Sequence, residues 1–238
     1  MIAENLTKVR DQIKDAALRA GRDPNDITLV GVTKQQTVET MLEGYGAGLR
    51  HFGENRVEEM TAKLPAFLQR INPADPPTIH MIGHLQRRKV ADALQYSHMI
   101  HSVDTVRLAE RINRLAECQV AVLLECNISA EENKAGFPAA NWEEDPTTLE
   151  RFREAVGAII QLPKVAVAGL MTMAPFVADV EETRPYFRSL RRLMSVCREI
   201  FPTAPWRHLS MGMTNDFDVA IEEGATMVRV GRAIFPRD

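Results

Sequence analysis

The chain of 238 residues is poor in cysteine, in aromatic residues and in long apolar runs, and it carries little net charge. Its three cysteines, Cys118, Cys126 and Cys197, are odd in number and form no CxxC pair. That argues against a disulfide framework and for reduced thiols in a cytoplasmic protein, each acting as a small buried hydrophobe. A formal net charge of −3 gives no electrostatic reason to expect nucleic acid or an anionic membrane as the main partner. The longest apolar stretches, near 165–173 and 119–124, fall far short of a membrane span. Met1–Ala20 mixes Glu4, Lys8, Arg10 and Asp11 among its apolar residues, unlike a signal peptide. No GxGxxG follows the first strand pattern, and no nucleophile-elbow pattern indicates a Ser-His-Asp triad.

What is present is alternation. A hydrophobic content of 45% with 26% charged residues suits one large domain or two small ones. Ile2, Leu6, Val9, Ile13, Ala16, Ala17 and Ala20 recur at helical spacing until Gly21. Strand patterns then follow at 27–34, 49–52, 78–83, 98–103, 119–127, 164–171, 206–211 and 226–231. Helical patterns separate them, among them 85–94 and a helix for which Asp104 is a candidate N-cap. Eight strands alternating with helices predict an α/β chain folded as a single (β/α)8 TIM barrel spanning 1–238, with an open doubly wound sheet as runner-up. The segment 128–146 is a longer excursion, and the helix over 2–20 is an extra N-terminal element that covers the gap left after the eighth strand.

In such barrels the site lies at the carboxyl ends of the strands, with phosphate often held after strands seven and eight. That rule selects Lys34 after strand one, Asn55 after strand two, and His80 and His84 around the end of strand three. It also selects Asn127, Met171 and Met173, the turn Ser210-Met211-Gly212-Met213-Thr214, and Gly231-Arg232. An amine at the edge of an apolar core is partly desolvated, which lowers its pKa and suits a Schiff-base nucleophile; the alternative is a lysine snorkelling to water. Small residues at 210–214 let backbone N–H groups approach an anion, and Gly231 lets the opposite loop close in. Arg229 within the last strand needs a partner, either an acidic neighbour or a ligand. His80 and His84 are about 13 Å apart along a strand, too far to share a metal ion. The run Gln86-Arg87-Arg88-Lys89 reads as a solvated helix start, or as a contact for an anionic partner.

Val32-Thr33-Lys34, His51-Phe52-Gly53-Glu54-Asn55-Arg56-Val57, His80-Met81-Ile82-Gly83, Asn127-Ile128-Ser129, Lys134-Ala135-Gly136-Phe137, Gly169-Leu170-Met171, Leu209-Ser210-Met211-Gly212-Met213 and Val228–Phe235 occur in that order. Together they resemble the pyridoxal phosphate homeostasis proteins, a family related to the barrel of alanine racemase. The resemblance implies that Lys34 holds pyridoxal 5′-phosphate as a Schiff base. It also implies that Ser210, Gly231 and Arg232 surround the phosphate and that Arg229 lies near the pyridine nitrogen. The family often has Ser where Thr33 stands, Gln-Ser-Asn-Lys at 86–89, and Thr or Ser at Arg232, so contact at Arg232 falls to its backbone N–H.

Racemases of the related fold add a second domain with a catalytic tyrosine. Tyr45, Tyr96 and Tyr186 fall in or beside helical patterns here, which leaves no second acid–base group opposite Lys34. The expectation is a cytoplasmic, non-enzymatic protein that buffers and delivers the cofactor. It would bind it at Lys34, Asn55, Ser210, Gly212, Arg229, Gly231 and Arg232, with no metal. Other B6 vitamers, amino acids and transient contact with apo-enzymes are further expected partners. An amino-acid racemase or related carbanion enzyme is the alternative, and a barrel acting on a phosphorylated sugar through Lys34 is a third reading.

Overall fold

A computed structural model describes residues 1–131 and 134–235. Short apolar and β-branched segments form β1 (Thr28–Val32), β2 (His51–Glu54), β3 (Thr78–Met81), β4 (Met99–Val103), β5 (Val120–Asn127), β6 (Phe137–Pro138), β7 (Val165–Met171), β8 (His208–Ser210) and β9 (Met227–Val230). Neighbours run β4-β3-β2-β1-β9-β8-β7-β5, all parallel, and β5 pairs back onto β4. Eight strands therefore close into a (β/α)8 barrel, and the open sheet is excluded. The ninth, β6, lies within the 128–146 excursion and pairs beside the end of β5, with Cys126 opposite Phe137. Two residues carry no period, so nothing in the pattern predicts it.

Around the barrel stand α1 (Ile2–Arg19), α2 (Val38–Gly46), α3 (Val57–Leu68), α4 (Val90–Leu94), α5 (Val106–Leu115), α6 (Pro146–Ile160), α7 (Arg184–Ile200) and α8 (Phe217–Glu222). Thr37 and Asp145 cap α2 and α6 through their side chains, satisfying N–H groups that the first helical turn leaves unpaired. For α5 the cap is Thr105, whose Oγ1 accepts from Leu108 N–H at 3.3 Å, and not Asp104. The fourth helix is also shorter than its pattern: Arg87–Lys89 form a 3-10 turn and α4 starts at Val90. Within that turn Arg88 Nε donates to Gln86 and Lys89 pairs with Glu58 on α3.

The main core lies between strands and helices. Phe52, Ile79, Ile100, Val122, Leu124, Leu170 and Val228 form one apolar cluster with Leu64, Phe67, Ile112, Val156 and Leu190. Truncating one such leucine costs about 2–5 kcal/mol. A smaller cluster of Leu123, Ala168, Met171 and Met227, with Met99 against it, fills part of the barrel interior. Leu123 and Met171 alternate with Leu124 and Leu170, as the two-residue period of a strand requires.

The extra helix sits where the pattern places it. From α1, Asn5 Nδ2 donates to Ile234 O at 3.2 Å and Arg19 pairs with Glu222 at 2.9 Å. Arg22 Nη1 donates to Ile221 O at 2.7 Å and Ala225 O at 2.8 Å. Among the described residues no helix is long and apolar enough to cross a membrane. Cys126 and Cys197 are buried, but Cys118 is exposed, contrary to the reading of all three as buried hydrophobes.

Candidate functional site

Lys34 follows β1 by two residues, in a turn, with its side chain exposed. The burial expected for it at the edge of the apolar core is not found. What is buried is its support. Thr33 Oγ1 donates to Glu54 Oε1, and Lys63 Nζ donates to Thr33 O at 2.6 Å while pairing with the same Glu54 oxygen at 2.9 Å. On the other side of Lys34, the Gln35 N–H donates to Glu59 Oε2 at 2.6 Å. Gln35 has φ of 60°, a conformation that a non-glycine residue keeps only when its surroundings hold it. Burial pushes the Glu54 carboxyl up, against the pull of Lys63 and Thr33. A clamp from β2 and α3 thus fixes the backbone on both sides of the amine.

The turns after β8 and β9 meet at the same mouth. Gly212 has φ of 92°, and a Cβ there would lie 2.6 Å from Ala220 Cβ and 2.8 Å from Phe217 Cα, so only glycine fits. Asp216, at the start of α8, accepts from Met213 N–H at 2.6 Å and tightens the turn. A Cβ at Gly231 would stand 3.3 Å from both Val32 Cβ and Val32 O, so the β9 turn runs close against the end of β1. The Arg229 N–H donates to Gly212 O at 3.0 Å and ties the two turns together. Arg232 is exposed beside Gly231.

Arg229 itself is buried, with no carboxylate in ion-pair range among the described residues. Its Nη1 donates to Ser210 Oγ at 2.6 Å and its Nη2 to Thr172 O at 2.9 Å. Burial pulls the guanidinium down to about 10, opposed by the fields of Glu125 and Asp216, so it stays protonated at neutral pH. Both bonds go to neutral acceptors, a hydroxyl and a carbonyl, and not to the acidic partner expected of it. Ser210, fully buried, lies 2.9 Å from His101 Nδ1. His101 Nε2 lies 2.9 Å from His80 Nδ1, and His80 Nε2 3.0 Å from His51 Nδ1. Because β4 and β8 are not neighbours, the His101–Ser210 contact crosses the barrel interior.

Three buried side-chain acceptors have no hydrogen-bond partner among the described residues: Glu54 Oε2, Asn55 Oδ1 and Glu125 Oε2. Asn55 is pressed against Gly83, where a Cβ would meet Asn55 O at 2.2 Å. Glu125 is buried on β5, and desolvation together with nearby Asp104 raises it to about 7 despite Arg229 and His84. The remaining candidates serve elsewhere. His84 pairs with Asp104 at 3.2 Å, Asn127 Nδ2 holds Glu131 O at 2.9 Å, Met171 belongs to the interior apolar cluster, and Met173 is exposed. Among the described residues no cluster of His, Cys, Asp or Glu is arranged to hold a metal ion. His80, set aside as half of a metal pair, is instead the middle of a histidine chain.

Glu54, Lys63, His101 and Glu125 escape the sequence reading. Glu125 had a signal, since it interrupts the apolar run Val120–Cys126 as Arg229 interrupts β9. Lys63 had none, being one charged residue on an amphipathic helix.

The closed parallel barrel, with Lys34 in the turn after β1 and Gly212 and Gly231 in the turns after β8 and β9, defines the class as a (β/α)8 barrel. The chain belongs to the alanine racemase N-terminal domain family, whose model matches residues 4–236. It is 39% identical over 235 residues to the pyridoxal phosphate homeostasis protein of Aquifex aeolicus, covering 98% of this chain and 96% of that one. With the Escherichia coli K12 protein of the same name it shares 34% over 237 residues, covering 98% and 95%. Among solved structures, PipY of Synechococcus elongatus with PLP bound superimposes with a TM-score of 0.81 at 33% identity, over 99% of this chain and 100% of PipY. Alanine racemase from Corynebacterium glutamicum, at 15% identity and a TM-score of 0.70, shares the fold over 61% of its length.

Proposed function

We propose that this chain binds pyridoxal 5′-phosphate and buffers and delivers it in the cytoplasm, with residues 1–238 acting as one cofactor-binding domain. The observation that carries the reading is the mouth itself: an exposed amine on a clamped turn faces two glycine turns joined by the Arg229 N–H. The residues present fit the group. Exposed Lys34 is the covalent anchor for its aldehyde, and backbone N–H groups at Gly212, Gly231 and Arg232 suit a phosphate that Ser210 also borders. Asn55 brings an unpaired acceptor. PLP-bound PipY, matched over 99% of this chain, supports the choice of ligand.

When bound, pyridoxal phosphate supplies an aldehyde for an amine and a ring that draws electrons. Arg229 bears on the second property. A guanidinium keeps its proton and disfavours a second positive charge beside it, so a neighbouring ring nitrogen stays unprotonated and withdraws electrons weakly. That suits storage. Tyr45 points away from the mouth and donates to Asp75 O at 2.9 Å, Tyr186 lies in α7 and Tyr96 follows α4.

One observation favours the second reading, a racemase or other carbanion enzyme: Glu125 holds a titratable proton near neutral pH on the interior face of β5. Borohydride reduction followed by peptide mass analysis tests the binding site, and turnover across amino acids separates carrier from enzyme. Wild type should gain the cofactor's mass at Lys34, and Lys34→Ala should fold and gain none. An adduct retained in Lys34→Ala overturns the assignment, and sustained racemisation by wild type transfers the case to Glu125.

A further inference from the structure

The histidine chain has a direction, and reversing it changes what Ser210 can offer. Arg229 can only donate, so Ser210 Oγ accepts its N–H and keeps one hydroxyl proton to place. In one arrangement that proton goes to His101 Nδ1. His101 then carries its proton on Nε2 and donates to His80 Nδ1, and His80 likewise donates from Nε2 to His51 Nδ1. In the other arrangement every ring carries its proton on Nδ1 instead. His51 donates to His80, His80 to His101, and His101 to Ser210, which leaves the serine hydroxyl proton free to point away from the chain.

The three rings are confined to these two neutral states. Burial pushes His80 down to about 3 and His101 well below the usual imidazole range, and the Arg229 guanidinium adds to the effect on His101. His51 is half-buried, is also pushed down, and heads β2 at the amino-terminal end of the barrel. Its Nε2 makes no hydrogen bond among the described residues. The chain thus runs from the base of the barrel to the turn after β8.

We propose that His51, His80 and His101 form a tautomeric relay that decides whether the Ser210 hydroxyl points into the barrel or out to a phosphate at the mouth. The inference rests on the reading that a phosphate is held at Ser210. The exchange balances. Ser210 passes its proton to His101 Nδ1, His101 passes Nε2–H to His80, and His80 passes Nε2–H to His51. His51 Nε2 releases one proton to water at the base, and Ser210 Oγ takes one from the arriving phosphate monoanion, which becomes the dianion that Ser210 then donates to. A phosphate that accepts from Ser210 selects the outward state. The three histidines are positioning residues and do not touch the ligand.

Proton–nitrogen NMR of the 15N-histidine-labelled protein reads the tautomer of each ring. Expected are Nε2–H rings in the free protein and Nδ1–H rings at saturation with pyridoxal phosphate, all three switching together. Pyridoxal lacking the phosphate should leave the rings as they were. In Ser210→Ala, ligand raised until Lys34 is modified to the wild-type extent should move no tautomer. The mass added at Lys34 is measured on the same samples. Full modification of wild type with any of the three rings unchanged overturns the relay alone, as does a switch that persists in Ser210→Ala. No modification of Lys34 overturns the binding reading, and the relay with it.

Discussion

Two buried cations in this barrel are held in opposite ways. Lys63, on α3, meets Glu54 at 2.9 Å and Glu59 at 3.8 Å, so its charge is neutralised where it sits. Arg229, on β9, bonds a hydroxyl and a carbonyl, and no carboxylate lies in ion-pair range among the described residues. Burying an unneutralised charge is costly, and a fold keeps one where an anion or a polar ligand completes the balance. The pair around Lys63 belongs to the scaffold that presents Lys34, whereas the field of Arg229 is left over for the mouth.

The sharpest way to break this contrast is Lys63→Met. It leaves Glu54 buried without its cation and should cost about 3–5 kcal/mol in denaturant unfolding at neutral pH, as removal of one partner of a buried pair does. Adding Glu54→Gln should recover part of the loss, and a cost under ~1 kcal/mol would show that the pair supports nothing. Arg229→Met should cost less, about 1–2 kcal/mol, because two lost hydrogen bonds are offset by relief of an unpaired charge. Its larger effect should be weaker retention of pyridoxal phosphate in equilibrium dialysis. Equal destabilisation by the two substitutions would erase the distinction.

The smallest effect concerns Glu125. Its folded pKa of about 7 stands above the ordinary 4.5, so the folded protein binds the extra proton. The stability this contributes is complete below about pH 4.5 and is lost as pH rises through about 7. Above that, ionised Glu125 becomes the anion nearest in effect to Arg229, and the two cations grow more alike. Glu125→Gln should flatten the pH dependence of unfolding between those limits; a slope unchanged from wild type would place the titrating proton elsewhere.

The sequence reading identifies the barrel because each strand is a short apolar run and each helix a periodic one, signals that survive without tertiary context. The mouth is legible for the same reason, since Lys34, Ser210 and Gly231 fall at strand ends. Contacts across the barrel are not. His51, His80 and His101 sit on the paired neighbours β2, β3 and β4, whose register the sequence does not give, and only closure of the barrel brings His101 to Ser210 on β8 at 2.9 Å. The burial expected of Lys34 misses because it stands exposed in the turn, while the buried residue is its neighbour Thr33, held by Glu54 and by Lys63 of α3. The cap at Thr105 rather than Asp104 is a shift of one residue, the usual uncertainty at a helix end.

Part of the support of α1 comes from residues about 200 positions further along the chain. α1 lays Leu6, Val9, Ile13, Ala16 and Ala17 against the body; Arg10 reaches Gly48 O, but Asn5 reaches Ile234 O, Arg19 reaches Glu222, and Arg22 just beyond the helix reaches Ile221 O and Ala225 O. Contacts separated by some 200 residues close late, after loop-closure entropy has been met for the whole chain. Through most of synthesis the apolar stripe of α1 is therefore uncovered, a surface for chaperones to guard. Completion of β9 and docking of α1 become one event, and the mouth that lies between β9 and β1 exists only once that event has happened.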